Sequence, residues 1–335
     1  MRAARLSGVG NMAVDEVPRP EAGPGEVLIR VEAAGICGSD RHMFRGEYPT
    51  ALPVTLGHEF CGIVEALGPG ATRLRIGQLV TVDPNIACGH CDACREGRVN
   101  LCVSLEAIGV TRDGGFAEYV AVPEAQAIVL PDGLDPMLGA FSEPLACCLH
   151  GLDVARIEPG DSVAVLGGGV IGLIMVQLAR LAGASQVILS TRQAPRRQLA
   201  EKLGATHCVD GDEETLTAIA ALAPGGVHVT LECAGVPETF RLSLAAARRG
   251  GTAVLFGVMP KGQRIEIEPF DMLTRELRLE SAWLNPHTHA RAARMIASGV
   301  LDLKPLISRV VSIEDVPGEL TDEPRFGDVK VLVRP

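Results

Sequence analysis

The feature that most restricts the fold is a glycine-rich turn in mid-chain, Gly167-Gly168-Gly169-Val170-Ile171-Gly172. It stands between the apolar run Ser162–Leu166 and an apolar stretch of helical character through Ala182. A G-x-G-x-x-G turn that leaves a strand and enters a helix permits a tight bend and a close backbone approach, and it aims a helix N-terminus at its ligand. In that context Gly167, Gly169, Val170, Ile171 and Gly172 are predicted to cradle a dinucleotide pyrophosphate. Apolar strands alternate with helical stretches onward through Gln186–Ser190, a helix through Leu203, Val229–Leu231 and Ala253–Phe256. This alternation predicts a doubly wound parallel sheet.

The first 150 residues have another texture. They are rich in Val, Gly and Pro, with short runs such as Glu26–Val31 and Gln78–Val82 between turn residues, which predicts an all-β, barrel-like domain. The tail Asp328–Val333 reads as a strand returning to that domain. A length of 335 residues exceeds one ordinary core. The expected division is 1–150, completed by 286–335, and 151–285.

No apolar run reaches the roughly 20 uncharged residues of a membrane span, and the start Met1-Arg2-Ala3-Ala4-Arg5 lacks an apolar signal segment. A cytoplasmic location is therefore expected. A net charge of −10 without a Lys/Arg cluster opposes nucleic acid or an anionic membrane as partner. Small molecules are the expected partners.

Ten cysteines in a chain of this kind point to metal rather than disulfides, because four crowd into Cys88-x2-Cys91-x2-Cys94-x7-Cys102. Four soft thiolates on one loop can wrap a tetrahedral zinc, and with every position filled by protein the site is structural. An iron–sulfur cluster or four unligated thiols are the alternatives. Cys37 and His58, each flanked by glycine, together with Glu143, offer a thiolate, an imidazole and a carboxylate from separate segments. That set suits a zinc with an open fourth position; packing of the same side chains into the core is the alternative.

Taken together, Gly57-His58-Glu59, the four-cysteine lobe, Gly114-Gly115-Phe116-Ala117-Glu118-Tyr119, Glu143-Pro144-Leu145 and the glycine turn resemble the zinc-dependent medium-chain dehydrogenases, on the branch of sorbitol and threonine dehydrogenases. The likeness spans nearly the whole chain. It implies an α/β protein with a GroES-like β-barrel catalytic domain and a Rossmann domain, carrying two zinc ions. It implies a catalytic zinc on Cys37, His58 and either Glu59 or Glu143, with Asp40 orienting the imidazole of His58. Ser39 and His42 match the family's proton relay, in which a hydroxyl passes the proton through the cofactor ribose to an imidazole at the surface. A centre of this kind lowers the pKa of a bound hydroxyl, so an alcohol can lose its proton near neutral pH as hydride leaves the same carbon. Relatives on this branch are commonly tetramers, so the resemblance implies a homo-oligomer, a tetramer or dimer.

About 20 positions past the glycine turn, a dinucleotide site normally carries an acidic residue for the adenosine ribose. Here the chain reads Leu189-Ser190-Thr191-Arg192, with Arg196 and Arg197 beyond. Thr191, Arg192 and Arg196 in place of a carboxylate predict NADP(H) in preference to NAD(H); the other reading makes the paired arginines a solvated helix start. Phe44, Phe116 and Trp283 are candidate walls of a substrate pocket in the cleft between the domains, or plain core aromatics. The resemblance implies a polyol or sugar first, a threonine-type amino alcohol second and a simple secondary alcohol third. A non-catalytic NADPH-binding regulator is the alternative from another class.

Overall fold

The strand Glu26–Gly35 is the one on which the first unit is assembled. Nearly all of its side chains are shielded, because sheet neighbours flank both edges and a packed core covers it. Glu59–Leu67 pairs antiparallel along one edge, while Tyr119–Pro123 and Lys330–Arg334 share the other. Leu79–Val82, Ala127–Val129 and Ile307–Ser312 complete a seven-stranded sheet. A three-stranded sheet of Asn11–Glu16, Arg2–Gly8 and Val54–Thr55 lies alongside, bridged from Ala3 to Ala117. Leu6, Ile29, Leu56, Phe60, Phe116 and Val333 belong to the shared core. Burial of such side chains stabilises by about 1.5–3 kcal/mol each.

The computed structural model describes residues 1–335 and contains two compact units: Met1–Ala146 with Asn285–Pro335, and Cys147–Leu284. The returning chain is fastened inside the first unit by buried polar groups. Thr288 Oγ1 donates to Ala146 O at 2.7 Å, and His289, 1% exposed, sets Nε2 3.1 Å from Thr81 Oγ1 and Nδ1 3.3 Å from Asn285 Nδ2. The Asn285 amide also reaches Asp83 Oδ1 at 3.3 Å. Burial depresses the pKa of His289 to about 4 against the opposing pull of Asp83, so the ring is neutral and can both donate and accept here.

The second unit is the parallel sheet that alternating strands and helices predict. Its order is His207–Val209, Gln186–Ser190, Ser162–Leu166, Val227–Glu232, Ala247–Leu255, Arg278–Ser281, every neighbour parallel. The helix Val170–Leu181 buries Gly172 through Ala179 without a break, as expected of a helix covering the middle of a sheet. No helix is long and apolar enough to cross a membrane.

Candidate metal centres and cofactor cradle

Cys37 ends the organising strand's segment and caps the helix Gly38–Phe44, whose first turn supplies Asp40. The Asp40 carboxylate is fully buried: Oδ2 accepts from the Cys37 amide at 2.8 Å, while Oδ1 lies 3.4 Å from His58 Nδ1. One side chain therefore sets both the Cys37 backbone and the His58 ring. In the neutral ring, with Nδ1–H toward this carboxylate, Nε2 holds the lone pair. Ligand atoms of Cys37, His58 and Glu59 lie within 4.8 Å of one another. Burial alone would lower the His58 pKa, yet the Asp40 carboxylate and the Cys37 thiolate raise it well above the ordinary value. A donor set that draws in a positive charge this strongly fits a divalent cation.

Glycine makes the approach possible. Gly57, at φ +95, has no room for a Cβ, which would fall 2.7 Å from the Phe116 ring. Gly115 N and Phe116 N donate to Gly57 O and Leu56 O at 2.7 and 2.9 Å, so the Gly114-Gly115-Phe116 segment props the turn before His58. Phe116 is 0% exposed within the barrel core. It packs beside the Gly57 turn as a core aromatic, the second of the two readings of this residue, and offers no surface to a substrate as a pocket wall would. Phe44 is partly buried against the same core, and Trp283, in the second unit, is 38% exposed. Glu143 is buried in the first turn of the helix Ser142–Ala155 and is not one of the three clustered ligands.

Two further residues at this centre escaped the sequence reading. Lys330, 1% exposed, donates from Nζ to Ile36 O at 2.9 Å and forms an ion pair with the equally buried Glu59. The register explains its arrival: Leu332 pairs with Gly35, so two residues back along the antiparallel tail strand Lys330 comes level with Cys37. A Cβ on Gly35 would overlap the Glu59 carboxylate. Tyr48 is half-buried; burial raises its pKa, His58 opposes and Cys37 adds, so the phenol lies within range of both ligands' charges.

The second centre gathers the sulfur atoms of Cys88, Cys91, Cys94 and Cys102 within 4.8 Å of one another. The short helix Asp92–Arg95 and the 3-10 turn Val99–Leu101 fold the loop back on itself. Backbone amides point at sulfur, Cys88 N to Cys102 Sγ at 3.2 Å and Cys91 N to Cys88 Sγ at 3.4 Å. Amide donors from Cys94 and Val103 bring the Cys91 thiol down to about 6. Burial pushes the Cys94 thiol the other way, up to about 12, so the fit rests on geometry: four sulfur donors at this spacing suit a tetrahedral zinc. All ten cysteines of the chain are free thiols.

In the second unit Gly167 takes φ +119 and donates to Ser190 O at 2.9 Å, and Gly169 caps the helix Val170–Leu181. A Cβ on Gly168 would strike Thr191 at 2.8 Å, and one on Gly172 would overlap Gly167 O. This is a cradle that side chains would fill. Behind it, buried Glu232 accepts from Ala234 N, Gly235 N and Thr239 Oγ1 at 2.9, 2.8 and 2.6 Å, shaping the loop beside Gly167. Among the basic residues, Arg197 is ion-paired with Asp210 and donates to Thr191 O at 2.7 Å. It ties down the end of the strand, whereas Arg192 is exposed and Thr191 is 8% exposed beside the glycine turn.

Both units have counterparts among known proteins. Residues 23–132 match the alcohol dehydrogenase GroES-like domain, and residues 170–298 match the zinc-binding dehydrogenase domain. The chain is 31% identical to the sorbitol dehydrogenase of Bacillus subtilis (strain 168), covering 100% of this chain and 97% of that one. It is 33% identical to the L-threonine 3-dehydrogenase of Rhizobium etli (strain CIAT 652), over 90% of this chain and 89% of that one. The crystal structure of a zinc-binding dehydrogenase from Sinorhizobium meliloti 1021 bound to NADP superposes with a TM-score of 0.97 at 53% identity, covering 100% and 99% of the two chains.

Proposed function

Because the chain belongs to the zinc-binding alcohol dehydrogenase family, we propose that it moves a hydride between a secondary alcohol, first of all a polyol or sugar, and NADP(H) in preference to NAD(H). The observation that carries this reading is the convergence of Cys37, His58 and Glu59 on one buried point. A zinc held by Cys37, His58 and a carboxylate, Glu59 or Glu143, would polarise the substrate hydroxyl, and a nicotinamide would accept the hydride. The chain's own residues do the rest. Asp40 holds the ring of His58, and Ser39 Oγ, 3.3 Å from His58 Nε2, takes the hydroxyl proton toward His42. Tyr48 and Phe44 border the substrate. Cys88, Cys91, Cys94 and Cys102 hold a second, structural zinc, and these thiolates suit the reducing cytoplasm.

Arg192 and Thr191, with Arg196 beyond, favour a 2′-phosphate over a bare ribose, and the 53% identical neighbour holds NADP. Similarity to a sorbitol dehydrogenase favours a polyol; similarity to threonine 3-dehydrogenases favours an amino alcohol as the second reading. A homo-oligomer is supported by the uncovered edge strand Arg278–Ser281, with Leu279 on it and Phe270 and Leu273 exposed nearby. The test is hydride transfer by zinc-replete protein across polyols, sugars, threonine and simple alcohols, with each dinucleotide separately. NADP is expected to be preferred. Arg192→Ala should raise the KM for NADP roughly tenfold to a hundredfold, the worth of a hydrogen bond to charge, and leave that for NAD unchanged. An NAD preference in the unaltered protein would overturn the cofactor reading, and absence of turnover with every pair would overturn the enzymatic one.

A further inference from the structure

His42, where the proposed proton path reaches solvent, has a partner that no motif revealed. Its Nδ1 lies 2.6 Å from Glu47 Oε2, and Glu47 N donates to His42 O at 2.8 Å. The turn through Gly46, at φ +73, folds the carboxylate back over the last turn of the helix Gly38–Phe44. A Cβ on Gly46 would meet Val9 at 2.9 Å, so the turn has little room to reopen. Both side chains touch water, with 27% and 39% of their surfaces exposed.

The other charges around this helix are occupied elsewhere. Arg41 donates to Asp322 O at 2.6 Å, Arg45 faces Glu323 at 3.7 Å, and Asp40 is turned inward to Cys37 and His58. Glu319, on the packed helix Val316–Thr321, is bound to Arg309. Glu47 alone bonds the imidazole. A carboxylate only accepts, so the nitrogen facing it must carry hydrogen, and in the neutral ring the other nitrogen holds the lone pair.

We propose that Glu47 is a positioning residue of the proton exit: it fixes His42 as the Nδ1–H tautomer and presents Nε2 as the base that collects the proton released by the alcohol. This rests on the reading of Ser39 and His42 as the relay. The proton arriving from the substrate hydroxyl forms an N–H bond at Nε2, the Nδ1–H bond to Glu47 stays intact, and Nε2 then gives the proton to water. The hydride goes to the nicotinamide, so charge and atoms balance.

The experiment uses the zinc-loaded holoenzyme with Glu47→Ala, Glu47→Gln, His42→Ala and the double variant. Nitrogen NMR shifts should find His42 predominantly Nδ1–H in the unaltered protein and in Glu47→Gln, whose amide oxygen still accepts, and mixed in Glu47→Ala. The kcat for alcohol oxidation should fall about tenfold in Glu47→Ala, a part of the 10²–10⁴ that general acid–base catalysis contributes. KM should be unchanged, and added imidazole should restore the rate. Glu47→Gln should keep most of the activity, and the double variant should be no slower than His42→Ala. If His42→Ala oxidises alcohol at the normal rate, the relay reading falls and takes the proposal with it. If His42→Ala is slow while Glu47→Ala changes neither tautomer nor kcat, or if the two losses multiply in the double variant, the positioning role alone is overturned.

Discussion

Replacing Lys330 by methionine tests whether the centre is held together by charge. Methionine matches the stem in length but removes the ammonium, so Glu59, 1% exposed, would lose its ion-pair partner. Breaking a buried pair from one side costs about 3–5 kcal/mol. The side chains provide their own reporters: both tyrosines, Tyr48 and Tyr119, lie in the first unit, and the single tryptophan, Trp283, lies in the second. Urea unfolding of metal-free protein, followed by tyrosine absorbance and by tryptophan fluorescence, treats each unit's transition separately. Lys330→Met should lower the tyrosine-reported stability by about 3–5 kcal/mol. Adding Glu59→Gln should recover a large part, since the couple is broken from both sides. With zinc present the loss should shrink, because the freed carboxylate has a cation to face. A loss under about 0.5 kcal/mol, the range of an ordinary surface substitution, or no recovery in the double variant, would refute the reasoning.

Buried His289 makes the first unit acid-sensitive. Its folded pKa is depressed to about 4, so its contribution is complete above the unfolded value near 6.5 and is lost as pH falls between 6.5 and 4. The loss should amount to about 3 kcal/mol, read as a falling tyrosine-reported urea midpoint, and His289→Gln should flatten that slope; an unchanged slope would exclude His289 as its source. Metal analysis should find two zinc ions per chain. Cys37→Ser should lose one and Cys91→Ser the other, and only the second loss should lower thermal stability by several degrees. A single zinc that survives both substitutions would contradict the two-centre arrangement.

The Rossmann strands were legible because they are covered on both faces. Ser162–Leu166 and Gln186–Ser190 are runs of apolar residues whose ends coincide with those observed. The clustering of the four cysteines was equally plain, since they lie within fifteen positions of one another and need no distant partner. What stayed hidden depended on register and facing. Lys330 meets Glu59 only because the tail strand pairs at Gly35 with one register and not another. An aromatic next to a glycine pair can face the core or a pocket with the same spelling, and Phe116 faces the core. Arg192 and Arg197 look alike in sequence; Asp210, from a different strand end, distinguishes them.

The position of Lys330 also bears on the history of each molecule. The segment bearing Cys37, His58 and Glu59 leaves the ribosome long before the strand that neutralises Glu59, with the whole second unit made in between. At about 5–20 residues per second, synthesis of the intervening chain takes roughly ten to fifty seconds. Throughout that interval Glu59 is without its counter-charge. The ion pair beside this cluster is therefore completed late in translation, and a chain terminated before Lys330 would keep Glu59 without its counter-charge.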